Sequence, residues 1–154
     1  MITRRTGTIV LVVAGVALLG AGLAYEIVTT APLRGALRVF TALVALGNRT
    51  DLPDNQRLEL ARSLCSQRFL ARKPLALSQE GGIKGFPRAI DKNYRAWREG
   101  GNVWICPTNR SSTIRPVYQF IHENGQWRFD GLAAILRLGG EVVRTSEMPD
   151  LEAN

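Results

Sequence analysis

Histidine occurs once in these 154 residues, at His122, and cysteine twice, at Cys65 and Cys106. No Cys/His cluster with metal-ligand spacing can be drawn from three such residues, and a single histidine builds no metal site. A glycine-rich phosphate loop, a nucleophile elbow and paired carboxylates at a telling spacing are all missing. The expectation is therefore a protein that is not an enzyme and has no cofactor. Lysine is scarce as well, since seventeen of the twenty basic residues are Arg. Arg makes forked contacts with carboxylates and phosphates, so the charge points to acidic partners or anionic head groups. Two cysteines leave two readings open: a Cys65–Cys106 disulfide in an oxidising compartment, or two small buried hydrophobes.

What the chain does have is one long apolar run. From Ile9 it carries no charge for seventeen residues, through Tyr25, and only Glu26 interrupts it before Ile27 and Val28. About 20 residues of helix cross a hydrocarbon core of about 30 Å. Arg4 and Arg5 precede the run and the next basic residue is Arg34, so the positive-inside rule leaves residues 1–7 in the cytoplasm, 8–30 in the membrane and the rest outside. For a bacterial cell this means the inner membrane with a periplasmic domain. A secretory leader is the competing reading, with Gly22-Leu23-Ala24 offering small residues for cleavage; the length of the run favours a retained anchor. Ala14, Ala17, Ala21 and Ala24, with Gly20 beside them, recur at spacings of three and four. Such a seam lets another membrane helix approach closely.

Residues 31–138 hold 17 basic and 8 acidic residues, a surplus of nine positive charges, whereas 139–154 holds one Arg against four acids. Nucleic acid is the usual partner of such a basic domain, but a domain outside the cytoplasm does not meet it. The acidic tail, with Pro149 and weak periodicity, is expected to have no structure of its own.

Within 31–138, a dense apolar helix is expected over Leu33–Leu46, closed by Gly47-Asn48. A second helix, capped by Asp51 or Asp54, is expected to run to about Ala71 with Leu58, Ala61, Cys65 and Phe69 on one stripe. After a connector over 73–82, strands are expected at about 83–90, 93–99, 102–107, 114–122 and 126–131. Gly100-Gly101 and Asn124-Gly125 supply hairpin turns. The fold class is α+β, with helices packed on a curved antiparallel sheet.

The closing hairpin, Phe120 to Gly131, resembles the nuclear transport factor 2-like superfamily, which includes the SnoaL-like domains. Gly125, Trp127, Phe129, Asp130 and Gly131 match the Gly-x-Trp-x-aromatic/aliphatic-Asp-Gly ending that the last hairpin often carries in that family. The resemblance implies a cone of helices and sheet that holds a small apolar ligand, acts as an isomerase or dehydratase, or serves as an interaction scaffold. Asp91, Tyr94, Tyr118, His122 and Asp130 are the polar candidates for a cone-lining site, but they form no recognisable constellation. Trp127 is expected in the sheet core, His122 exposed beside the turn, and Asp130 as a turn or cap residue. Two functions follow: an accessory subunit that contacts other membrane polypeptides of a photosynthetic, respiratory, secretion or transport assembly, or a tethered module for an apolar or lipid-like ligand. The test between them is whether Phe86, Tyr94, Trp104 and Phe120 fill the cone.

Overall fold

The computed structural model describes residues 30–49, 51–78, 82–87, 94–108, 114–137 and 139–147. The chain divides into two units, Met1–Pro32 and Leu33–Asn154, and the account below concerns the second. Ala14, Ala17, Gly20, Ala21 and Ala24 lie outside the described residues, as does Asp91. Among the described residues no helix is long and apolar enough to cross a membrane.

Helix α1 covers residues 30–47. Ala36, Phe40, Leu43 and Val44 are buried, whereas Arg34, Arg38, Ala42 and Ala45 are exposed, so the helix is amphipathic where the sequence reads as apolar on nearly every face. It is closed by the Asn48 side chain, whose Nδ2 donates to the Val44 carbonyl at 3.0 Å, and not by a left-handed Gly47. The expected second helix is two: α2 (Asp54–Leu64) and α3 (Gln67–Arg72). Cys65 and Ser66 between them are extended, and Ser66 caps α3 by accepting from the Phe69 N–H at 3.0 Å. Neither Asp51 nor Asp54 caps α2; Pro53 stands at that position with no side-chain bond.

Five strands follow as an antiparallel meander in the order β1-β2-β3-β4-β5: β1 (Tyr94–Glu99), β2 (Asn102–Pro107), β3 (Ile114–Glu123), β4 (Gln126–Arg137) and β5 (Val142–Arg144). Both expected hairpin turns are made. Gly100 and Gly101 have φ of 56° and 84°, and Asn124 and Gly125 have 51° and 77°, the paired positive angles of a two-residue turn that matches strand twist. The region expected to hold a strand at 83–90 is described as far as residue 87. There it contributes an isolated bridge, Leu77 to Ile83, followed by a turn. The acidic tail carries β5, which pairs with Ala134–Leu136.

Strand β4 runs twelve residues because Asp130-Gly131 does not end it. Phe120 faces Phe129 and Gln119 faces Gly131, so Asp130 is an extra residue; likewise Val117 faces Ala134 and Tyr118 faces Leu132, so Ala133 is extra. Two bulges within one strand bend the sheet and tighten its twist. Gly131 has φ of 104°, and a Cβ there would sit 3.0 Å from the Phe69 ring of α3.

The hollow of the bent sheet is filled. Phe129 has the rings of Phe69, Phe86, Phe120 and Tyr118 around it at centroid distances of 5.1, 5.2, 5.6 and 6.0 Å. Phe40 of α1 reaches Tyr118 and Phe120 at 6.1 and 6.2 Å. Trp127, half-buried, packs against this core where Gly35 lets α1 approach; a Cβ on Gly35 would lie 2.3 Å from Trp127 Cδ1.

Candidate functional site: an arginine-rimmed groove

Strand alternation sends Val103 and Ile105 of β2 into the helix-side core and Trp104 and Cys106 to the opposite face. There Trp104, Cys106, Val117, Ala134 and Leu136 form a second, smaller cluster, with Trp97 and Ala133 against it. Beside this cluster lies a groove of about 410 Å³. Trp104 and Gln119 line it from the sheet. Arg68, Arg72 and Asp130 line one end, and Arg144 with Thr145 and Ser146 another.

The bulges of β4 organise this groove. A bulge leaves a backbone carbonyl without its ladder partner, and here both extra residues receive one from a side chain. Arg72 Nη2 donates to the Asp130 carbonyl at 3.0 Å, and Thr145 Oγ1 donates to the Ala133 carbonyl at 3.0 Å. The Asp130 carboxylate, 2% exposed, is enclosed by donors. Ser66 Oγ donates to Oδ1 at 2.6 Å, Arg68 Nε donates to Oδ1 at 3.2 Å and Arg68 Nη2 to Oδ2. The carboxylate raises the Arg68 guanidinium further above its high ordinary pKa, first through the hydrogen bond and then through charge. The Ser66 N–H donates to the Phe129 carbonyl at 2.8 Å, so the start of α3 is stitched to β4 along the same stretch.

At the other end, Arg144 of β5 pairs with Glu99 and lays its guanidinium over the Trp104 ring, 5.8 Å from the centroid. Trp97 packs against Trp104 in a tilted arrangement, with ring centroids 5.8 Å apart, and carries Arg95 over its own ring at 5.5 Å. Trp104 is 6% exposed, and among the described residues its buried indole N–H has no hydrogen-bond partner. A buried donor in that condition costs free energy until an acceptor reaches it.

Of the residues singled out from the sequence, Gly125, Trp127 and Phe129 shape the hairpin and the helix-side core, while Asp130 belongs to the groove. Asp130 is not a turn or cap residue: the bulge keeps it within β4 and turns it toward α3. Tyr118 is buried in the core, Tyr94 is 42% exposed on β1, and His122 is exposed beside Trp127, with ring centroids 5.2 Å apart. The disulfide left open for Cys65 and Cys106 is not formed. Both thiols are free, one in each cluster, with the sheet between them. Burial raises both, Cys65 to about 12. Among the described residues no group of three His, Cys, Asp or Glu side chains is placed to hold a metal ion. The sequence reading missed Arg68, Arg72 and Arg144, and it expected Trp104 and Tyr94 inside the cone, whereas strand alternation puts Trp104 on the opposite face and Tyr94 is exposed at the edge strand. Its available signal was the excess of Arg over Lys, which says nothing of where the guanidinium groups meet.

The described residues thus define an α+β protein with helices packed on a curved antiparallel sheet. No protein family, characterised protein or solved structure matches the chain.

Proposed function

We propose that this protein is a non-catalytic accessory subunit of a bacterial envelope membrane complex. Residues 8–30 anchor it in the inner membrane, and a periplasmic domain related to the nuclear transport factor 2-like superfamily engages partner subunits. The observation that carries this reading is the filled hollow of the sheet. Phe40, Phe120 and Phe129 are fully buried there, with Phe69 and Phe86 beside them, in the space where a ligand-holding cone would keep its cavity. Burying each such ring contributes about 1.5–3 kcal/mol, so the interior serves stability and leaves the surface to serve function. The basic, arginine-rich exterior and the small-residue seam of Ala14, Ala17, Gly20, Ala21 and Ala24 supply contact surfaces for proteins outside and within the bilayer. The host assembly is one of the photosynthetic, respiratory, secretion or transport machines of the envelope.

The test is extraction of native membranes in mild detergent, affinity capture of the chain and mass spectrometry of what remains bound. A fixed set of membrane polypeptides at constant stoichiometry is expected. Recovery of the chain alone as a monomer would overturn the proposal.

A further inference from the structure

We propose that the groove over the bulges of β4 is a binding site for a phosphate group, held by the guanidinium groups of Arg68, Arg72 and Arg144 beside the Trp104 indole. Four observations converge on it. Among its lining residues the groove sets three guanidinium groups against two carboxylates, Asp130 and Glu99, with Glu123 a weaker, more distant charge on Arg68. Among the described residues, the bonds that hold the three arginines use Nε and Nη2 of Arg68 and Arg72 and Nη2 of Arg144. The Nη1 groups of all three remain, on side chains 57%, 54% and 55% exposed. The carboxylates and the Trp104 ring fix the guanidinium planes in advance, so little side-chain freedom is lost when an anion arrives. Finally, Trp104, whose buried indole N–H has no partner among the described residues, and Gln119 with its amide line the wall. An oxyanion accepts from donors of both kinds, whereas an apolar ligand satisfies neither.

A recess of about 260 Å³ adjoins the groove, shares Glu99 and Arg144 with it and adds Arg95 stacked on Trp97. The alternation of arginine and tryptophan suits a phosphate carried on a larger body, such as an anionic phospholipid head group, as well as free phosphate. Only the lipid source rests on the membrane anchoring proposed above; the site does not.

The experiment uses the full chain in dodecyl maltoside micelles and follows tryptophan fluorescence. One titration adds inorganic phosphate at low ionic strength, with chloride as the control anion. A second adds phosphatidylglycerol, with phosphatidylcholine as its control. Saturation by phosphate assigns the site to the free anion, and saturation by phosphatidylglycerol alone assigns it to the head group. In either case Arg144→Gln and Arg72→Gln should weaken binding roughly tenfold or more, as loss of a charge-assisted hydrogen bond to the anion requires. Arg144→Lys, which keeps the charge and loses the fork, should fall between, while Arg38→Gln on the exposed side of α1 should bind as the parent does. Circular dichroism identifies any variant that fails to fold; should Arg144→Gln be one, Arg72→Gln and Arg144→Lys decide. Absence of saturation with both ligands, or folded groove variants that bind like the parent, would overturn the proposal. The inorganic phosphate arm needs no partner polypeptide and no bilayer, so its result stands apart from that of the capture experiment.

Discussion

At the scale of single residues, Asp130 carries more structure than any other polar group described here. Its carboxylate accepts from Ser66 and Arg68, and its carbonyl accepts from Arg72, so one residue ties α3 to the bulged part of β4. Replacement by Ala leaves Ser66 Oγ buried without its acceptor and frees Arg68, which is half exposed and regains water, while Arg72 keeps its bond to the main-chain carbonyl. The loss should therefore lie below that of a fully buried ion pair, at about 2–3 kcal/mol, and appear as a lower denaturation midpoint. Asp130→Asn keeps the bond from Ser66 and should lose less. The Asp130→Ala effect should also shrink when Arg68→Ala is already present, since contacting residues couple. Cys65 makes a different case. Burial lifts its thiol from an ordinary 9.0 to about 12, so near pH 9 the folded protein should hold on the order of 10³-fold less thiolate than an unfolded one. Alkylation of native protein at pH 8.5 should be correspondingly slow. Above about pH 9 the unfolded state ionises while the folded state holds its proton, so stability falls between about 9 and about 12. That slope should be shallower in Cys65→Ala.

At the scale of elements, the packing of α1 on the sheet depends on a close approach at Gly35. A Cβ there would lie 2.3 Å from Trp127 Cδ1 and 2.7 Å from Nε1, so Gly35→Ala must push the indole from its place. Overpacking of this kind costs about 1–3 kcal/mol, more than the helix gains from replacing Gly with Ala. Chemical denaturation should show the loss, and Gly35→Ala should cost much less in a Trp127→Leu background, where the space has been opened. The contact also shows what the sequence made legible. Asn124-Gly125 and Gly100-Gly101 were readable as turns because positive φ is a local demand that few residues meet. Asp130-Gly131 has the same turn chemistry and is a bulge, since only the register of β3 against β4 distinguishes the two. Ser66 sits inside an apolar stripe of helical period, so the break between α2 and α3 becomes visible only when the Phe129 carbonyl draws the Ser66 N–H out of the helix. Strand β5 is three residues long in an acidic stretch, and its partner strand, not its own propensity, makes it extended.

At the scale of the whole molecule, the helix-side aromatic core could be anticipated from apolar periodicity, whereas the groove could not. Its parts come from Arg68 and Arg72 on α3, Trp104 on β2, Gln119 on β3, Asp130 on β4 and Arg144 on β5, which span most of the domain and share no motif. The sheet thus divides two tasks: an aromatic core under the helices, and a face of tryptophan and arginine on the other side. The short segment after Gly140 joins the two. Val142 and Val143 extend the sheet, Arg144 covers Trp104, and Thr145 satisfies the carbonyl of the second bulge. The acidic end of the chain, expected from its composition to have no structure of its own, should contribute to stability. Ending the chain at Gly139 would uncover Trp104 and leave the Ala133 carbonyl without its donor. The expected cost is about 1–3 kcal/mol, a fall in melting temperature of several degrees. Arg144→Gln together with Thr145→Val in the intact chain should reproduce roughly half of that fall, because the β5 pairing survives. A truncated protein that melts with the parent would mean that the outer face of the sheet is stable uncovered. The arginine on Trp104 would then be free to leave the ring when an anion binds.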